Sequence, residues 1–180
     1  SGILSVVNKE TGSEKWNFKF NNKRTGFSQN TFGLFNGYPI VFEDKIYFGS
    51  VAGQFNAFKL DGEVLWETSI GIQGIPLLLS NSIFFVSDTN KLIRMNTGNG
   101  SLIWSKKLGK KNDLQSYFGP VLIGSKIWVT SSDGKLRSFD VLTGDKIDQI
   151  IVPSGIVGEP IYYSGSIILY LNSSVLVAFE

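Results

Sequence analysis

The sequence predicts an all-β fold: a β-propeller built of four-stranded antiparallel blades. Two markers repeat along the chain, a turn glycine followed by a large aromatic residue and a proline that opens a short apolar run, and they alternate at a period of roughly 40 residues. Four-stranded sheets at such a period are the sequence signature of a propeller. A β-sandwich of similar size needs no internal repetition and is therefore the less favoured alternative.

The first marker is a turn glycine with a tryptophan four positions later. Its instances are Gly12 with Trp16, Gly62 with Trp66 and Gly100 with Trp104, while Gly144 is followed by Asp148. Glycine adopts the positive φ that a tight turn needs at little cost. The tryptophan falls early on the outer strand, where its large flat side chain can dock against the adjacent blade. We therefore predict that these glycines and tryptophans are blade-docking residues; the alternative is that they only fill local core.

The second marker is a proline before two apolar strands. Pro39, Pro76, Pro120 and Pro160 each open an apolar run, a polar pair and a second apolar run. The polar pairs are Glu43-Asp44, Ser80-Asn81, Gly124-Ser125 and Ser164-Gly165. This composition predicts two-residue hairpin turns between β-strands.

The markers divide residues 1–180 into one partial propeller domain. Naming the strands of a blade a to d in chain order, we expect blades at approximately 1–20 (strands c and d), 38–70, 75–108, 119–151 and 160–180 (strands a to c). About four blades would be present, either as part of a larger ring or as a small ring closed by residues 1–20. An open arc exposes apolar blade faces, which predicts self-association or dependence on a further segment.

Composition restricts the classes of function. With 17 basic and 15 acidic side chains, the net charge of +2 is too small to drive binding to nucleic acid or to an anionic membrane. The chain has no Cys and no His, which removes thiolate chemistry and the usual general base. Its acids, such as Asp88, Asp113, Asp133 and Glu159, are scattered singly over turns. We expect no catalytic residue, no metal and no cofactor, and no apolar run is long enough to span a bilayer.

The repeat residues carry a family resemblance. Ala57 with Asp61-Gly62 and Trp66, and Phe139-Asp140 with Thr143-Gly144, resemble the PQQ-like (pyrroloquinoline-quinone-like) propeller repeat, in which that tryptophan docks between blades. Three stretches are similar to the C-terminal half of the BamB family in its alphaproteobacterial form: SGILSVVNKETGSEKW, NKRTGFSQNTFGLFNGYPIVFEDKIYF and FGPVLIGSKIWVTSSDGKLRSFDVLTG. This resemblance implies part of an eight-bladed ring.

The resemblance also implies a function. Proteins of this family are periplasmic lipoproteins attached to the outer membrane, and they assist the machinery that inserts β-barrel proteins there. The implied role is a non-catalytic scaffold that binds the periplasmic part of the central barrel-assembly subunit and, by edge pairing, nascent outer-membrane proteins. Contact with the membrane would be made only through a lipid anchor outside this chain.

Two other functions use similar repeats. A resemblance to quinone-dependent dehydrogenases would imply a different set of residues: a disulfide of adjacent cysteines against the cofactor and an acidic cluster for calcium. This chain lacks the cysteines. Sensor propellers that bind unfolded peptides need no catalytic groups either, so the sequence separates them poorly from a scaffold.

The longest connection before a blade, residues 21–37, is the predicted partner-binding site. Long loops are often functional, and this one places aromatic residues in polar company. The predicted contact residues are Arg24, Phe27, Phe32, Leu34, Phe35 and Asn36. By its position before Pro39, the stretch matches the family loop that helps to contact the barrel subunit, although that loop usually has acidic residues at the positions of Leu34 and Asn36. The alternative is that the loop folds its phenylalanines onto the core.

Overall fold

The structure, a computed structural model, describes residues 2–20, 38–51, 53–109 and 114–179. These residues form five antiparallel sheets, numbered here in chain order. Sheet 1 contains β1 (Ile3–Val7) and β2 (Glu14–Lys19). Sheet 2 contains β3 (Ile40–Phe42), β4 (Lys45–Ser50), β5 (Gln54–Lys59) and β6 (Val64–Thr68). Sheet 3 contains β7 (Ile72–Leu79), β8 (Ser82–Ser87), β9 (Lys91–Asn96) and β10 (Leu102–Lys107).

Sheet 4 contains β11 (Tyr117–Ile123), β12 (Lys126–Ser131), β13 (Lys135–Asp140) and β14 (Lys146–Ile151). Sheet 5 contains β15 (Ile161–Tyr163), β16 (Ser166–Tyr170) and β17 (Leu176–Phe179). The strands of every sheet follow chain order, so each sheet is a simple meander. The prediction of an all-β propeller fold is confirmed.

The predicted hairpin turns are confirmed as well. Phe42 pairs with Lys45 across Glu43-Asp44, and the corresponding pairs close two-residue loops in sheets 3, 4 and 5. The first loop residue has a positive φ in each case: 54° at Glu43, 51° at Ser80, 60° at Gly124 and 48° at Ser164. A positive φ at this position is typical of the primed turns that match the twist of paired strands.

The meander gives each sheet two different ends. Because successive strands alternate in direction, the b-to-c turns and the connections from strand d to the next strand a lie at one end, which we call the linker edge. The a-to-b and c-to-d turns lie at the opposite end, the turn edge. β2 ends and β3 begins at the linker edge.

Apolar side chains fill the spaces between consecutive sheets. Leu4 and Phe20 from the first part of the chain pack with Phe48 and Phe58 of sheet 2. Phe55, Ala57 and Trp66 of sheet 2 pack with Ile83 and Phe85 of sheet 3. Comparable clusters join sheet 3 to sheet 4 and sheet 4 to sheet 5. Each sheet that lies between two others is therefore apolar on both faces, as expected for a propeller blade.

The first strands of sheets 3 and 4 begin before their prolines. β7 starts at Ile72 and β11 at Tyr117, ahead of Pro76 and Pro120. The pairing register shifts between Gln73 and Leu77, and between Phe118 and Val121. Proline cannot donate to the sheet, and a bulge lets the strand continue on either side of it.

The outward face of sheet 5 is apolar and exposed. Ile161 is 60%, Tyr163 73% and Leu176 68% accessible to solvent. The described residues include no helix that is long and apolar enough to cross a membrane.

Candidate protein-interaction site

The six predicted partner-binding residues, Arg24, Phe27, Phe32, Leu34, Phe35 and Asn36, lie outside the described residues, so their role stays a prediction. The structure describes both ends of the connection that carries them. Phe20 at its start is fully buried, and its backbone N–H donates to the Gly2 carbonyl at 3.0 Å. Tyr38 at its end is exposed. Phe20 is therefore anchored in the core at the end of the described segment 2–20.

The later connections at the linker edge are tied to neighbouring turns. The N–H of Asp88 donates to Gly71 O at 2.9 Å, so the connection from sheet 2 meets the b-to-c turn of sheet 3. The N–H of Ser132 donates to Ser116 O at 2.9 Å in the same arrangement one sheet further on. The N–H of Asn172 repeats it with a carbonyl of the connection from sheet 4. In each of sheets 3, 4 and 5, the incoming connection and the b-to-c turn are thus hydrogen-bonded to each other at the linker edge.

Buried polar side chains line sheet 2 next to this edge. Ser50, Gln54 and Asn56 are almost completely buried. The side-chain amides of Gln54 and Asn56 donate to the Glu67 carboxylate at 3.4 and 3.3 Å. Ser50 Oγ, Gln54 Oε1 and Asn56 Oδ1 have no hydrogen-bond partner among the described residues. Buried acceptors favour a nearby donor, and Thr130 and Ser138 of sheet 4 likewise have buried side-chain oxygens without a partner among the described residues.

One charged turn at the linker edge is held by contacts within itself. In the b-to-c turn of sheet 4, Asp133 accepts hydrogen bonds from Lys135 and, at 2.5 Å, from Ser131 Oγ. Burial opposes ionisation of Asp133, but the hydrogen bonds outweigh it and hold the pKa of its carboxyl below the ordinary value. The Asp133 carboxylate thus fixes its own turn.

A small cavity opens between sheet 3 and the connection that leads into it from sheet 2. Its volume is about 190 Å³, and its polar lining includes Ser69, Asp88, Thr89, Lys91 and Ser105. Sites for cofactors and drug-sized ligands usually measure about 300–1,000 Å³. Within the part of the chain that the structure describes, no three acidic residues are grouped as a metal site would require.

The predicted blade-docking tryptophans each donate to the next sheet. Trp16 Nε1 donates to Leu60 O at 2.9 Å, Trp66 Nε1 to Thr97 O at 2.9 Å, and Trp104 Nε1 to Val141 O at 3.3 Å. All three acceptors belong to c-to-d turns at the turn edge. The structure thus places each indole between two sheets.

The turn glycines meet these indoles. A Cβ built on Gly62 would lie 2.8 Å from the Trp16 ring. The same position on Gly100 lies 2.7 Å from Trp66, and on Gly144 2.8 Å from Trp104, whereas Gly12 has nothing within 4 Å. The glycine is needed for its positive φ and also for the space that the preceding sheet's indole occupies. The recurring spacing within one repeat shows only the first of these two requirements.

Asp148, at the fourth tryptophan position, is exposed on β14 and accepts the Gln149 N–H at 2.7 Å.

Arg94 is an inter-sheet residue that the repeat pattern did not indicate. Its Nη1 donates to Val141 O at 3.1 Å, and its Nε donates to Ser82 Oγ at 3.0 Å. The guanidinium also lies over the Phe84 ring, 5.5 Å from the centroid. Nothing in the repeat marks this arginine, since the equivalent positions in β5 and β13 are Ala57 and Ser138.

Four-stranded sheets in a series, joined by indoles that donate to the next turn, define a β-propeller of PQQ-like repeats. The model of the family described as "Outer membrane protein assembly factor BamB" matches residues 1–174, and the chain belongs to this family.

Individual relatives agree with this assignment. The BamB of Yersinia pestis is 21% identical over 187 residues, covering 99% of this chain and 45% of the relative. The BamB of Shewanella oneidensis is 24% identical over 177 residues, covering 97% and 44%. The crystal structure of BamB from Moraxella catarrhalis is similar with a TM-score of 0.77 at 17% identity, over 98% of this chain and 52% of that one. The chain thus spans about half the length of these relatives.

Proposed function

We propose that this chain acts as part of a non-catalytic scaffold in the assembly of outer-membrane β-barrel proteins. The observation that carries the proposal is the family match over residues 1–174, supported by the fold similarity to a BamB structure. The protein works in the periplasm, and a lipid anchor outside this chain attaches it to the outer membrane.

The proposed partner is the periplasmic part of the central barrel-assembly subunit, and nascent outer-membrane proteins are a second candidate. The contact site is the linker edge around residues 21–37, with Arg24, Phe32 and Phe35 as principal contacts. Aromatic and arginine side chains dominate the energy of protein interfaces because they bury large areas and donate several hydrogen bonds. The ordered connections of the following blades support this assignment, since each is hydrogen-bonded to a b-to-c turn at the linker edge.

The absence of catalysis is part of the proposal. Three of the described acids are engaged in turns or in contacts between sheets: Asp133 pairs with Lys135, Asp140 accepts two backbone N–H groups, and Glu159 accepts the Gly119 N–H. A dehydrogenase is therefore not favoured.

Capture of partners from an envelope extract tests the proposal. The full-length protein is compared with a variant carrying Arg24→Ala, Phe32→Ala and Phe35→Ala. A matched control carries Lys9→Ala, Leu60→Ala and Leu142→Ala, which alter exposed side chains at the turn edge. We expect the parent and the control to capture the barrel-assembly subunit and the loop variant to lose it with its fold intact.

Two results would count against the proposal. If the folded parent captures no barrel-assembly subunit, the scaffold role is wrong. If the loop variant and the turn-edge control capture it equally well, the scaffold role stands but the site lies elsewhere.

A further inference from the structure

Glu159 lies in the connection that leads into sheet 5. It directly precedes Pro160, and the corresponding residues in the two preceding sheets are Ile75 before Pro76 and Gly119 before Pro120. β11, the first strand of sheet 4, contacts the first strands of sheets 3 and 5. Glu159 is therefore close to the entry points of three successive sheets.

The Glu159 carboxylate contacts the backbone of both preceding sheets. The N–H of Gly119 in sheet 4 donates to its Oε2, while its Oε1 lies against Gly74 of sheet 3, beside the backbone N–H of Ile75. Hydrogen bonds to an ionised acceptor are stronger than those between neutral groups. One side chain of sheet 5 thus holds two other sheets.

Two glycines shape the site. Gly74 has a φ of 66°, and a Cβ at this position would lie 2.5 Å from Glu159 Oε1. Gly119 has a φ of 102°, and a Cβ there would lie 3.1 Å from Trp128 O. The lack of a side chain at Gly74 leaves room for the Glu159 carboxylate. Gly119, which has a left-handed backbone conformation, presents its N–H to the same carboxylate.

This contact differs from the other links between sheets. Trp66 joins sheet 2 to sheet 3, and Trp104 and Arg94 join sheet 3 to sheet 4. In repeat architectures, stability is approximately a sum of repeat terms and nearest-neighbour interface terms, so one part can open without another. A contact from sheet 5 to sheet 3 adds a contribution to stability that joins two sheets which are not nearest neighbours.

We propose that Glu159 is a clasp that makes sheets 3, 4 and 5 open as one cooperative unit. The carboxylate touches the third sheet as well as the fourth, so that separating sheet 5 from either of them removes a contact of Glu159. Without the clasp, sheet 5 would open separately, because the main contacts of its strands with other sheets, among the described residues, are with sheet 4.

Amide hydrogen exchange, followed by NMR in the whole chain at increasing low denaturant concentrations, tests this proposal. In the wild type, we expect the slowest amides of β8, β12 and β16 to converge on one opening free energy. In Glu159→Ala, we expect the amides of Ile75 and Gly119 to exchange at least about tenfold faster. We also expect the slowest β16 amides to show a lower opening free energy than those of β8 and β12. Glu159→Gln retains an acceptor oxygen and should show a smaller effect, and it provides the measurement if Glu159→Ala does not fold.

Asp145→Ala is the matched control. The Asp145 carboxylate accepts a hydrogen bond from Lys106 Nζ at 2.6 Å, and this contact joins sheet 4 to sheet 3 only. We expect the slowest amides of β8, β12 and β16 to share one opening free energy in this variant, as in the wild type. The proposal is overturned if sheet 5 already opens separately in the wild type, if exchange at Ile75 and Gly119 is unchanged in the Glu159 variants, or if Asp145→Ala separates β16 equally well.

Discussion

The indole of Trp66 lies against Gly100 of the next sheet, 2.7 Å from the position that a Cβ would take. Its Nε1 donates to Thr97 O of the same turn at 2.9 Å. Packing and hydrogen bonding thus converge on one glycine turn, and the same arrangement joins Trp16 to Gly62 and Trp104 to Gly144. We infer that these turn contacts hold consecutive blades together.

Replacing Trp66 with alanine should lower the free energy of unfolding by about 3–5 kcal/mol, because a large buried ring is removed and a cavity remains. Trp66→Phe retains much of the packing but loses the hydrogen bond to Thr97 O, so its loss should be smaller. Equilibrium unfolding in urea measures both. A change below about 1 kcal/mol for Trp66→Ala would contradict a docking role, since loss of such a ring normally costs several times more.

Two glycine substitutions separate backbone strain from inter-sheet packing. Gly12 and Gly100 have φ values of 69° and 68° in equivalent turns, but only Gly100 has an indole against it. Gly12→Ala should destabilise the protein by about 1–2 kcal/mol through the left-handed backbone alone. Gly100→Ala should add a further 1–3 kcal/mol, approximately, because the Trp66 ring must move. Equal losses in thermal or urea unfolding would show that the indole contact contributes nothing.

Arg94 should contribute to the same interface between sheets 3 and 4. Arg94→Met keeps an apolar stem but removes the donors to Val141 O and Ser82 Oγ, so we expect a loss of about 1.5–3 kcal/mol. Arg94→Lys should recover only part of it, because an ammonium cannot reproduce the planar fork. Urea unfolding measures the free energy of unfolding of both variants. A value for Arg94→Lys equal to that of the wild type would contradict this prediction.

Asp140 should make stability depend on acidic pH. Its carboxylate accepts the N–H groups of Thr143 and Leu142, and these hydrogen bonds hold its pKa below the ordinary value. A lowered pKa in the folded state means that the stabilisation is fully present above the unfolded pKa, near pH 4, and is lost as pH falls through the folded pKa.

Asp140→Asn isolates this effect, since Asn96 accepts two backbone N–H groups in the equivalent turn of sheet 3. Melting temperatures between pH 2 and pH 7, roughly, should fall less steeply with acid for the variant than for the wild type. Parallel curves for the two proteins would show that Asp140 does not link folding to protonation.

The repeat made the architecture predictable from sequence. Turn pairs such as Glu43-Asp44 and apolar runs on either side report local backbone preferences, and the structure confirms their hairpins. The early starts of β7 and β11 were not visible, because the bulges around Pro76 and Pro120 depend on pairing with the neighbouring strand.

Contacts between sheets were less predictable than the sheets themselves. The spacing of Gly100 and Trp104 suggests a relationship within one blade, whereas each residue meets a different neighbouring blade. Arg94 and Glu159 occur once each, so no periodic signal marks them. The predicted loop residues, including Arg24 and Phe32, lie outside the described residues, and their role depends on a partner.

The most direct test of the scaffold role is the amount of folded β-barrel protein in the outer membrane of cells that lack this protein. Folded barrels are distinguished from unfolded ones by their shifted migration on gels when samples are not heated. We expect the folded amount to fall in the deletion strain and to recover when the full-length wild type is restored. An unchanged amount of folded barrels in the deletion strain would contradict a role in outer-membrane protein assembly.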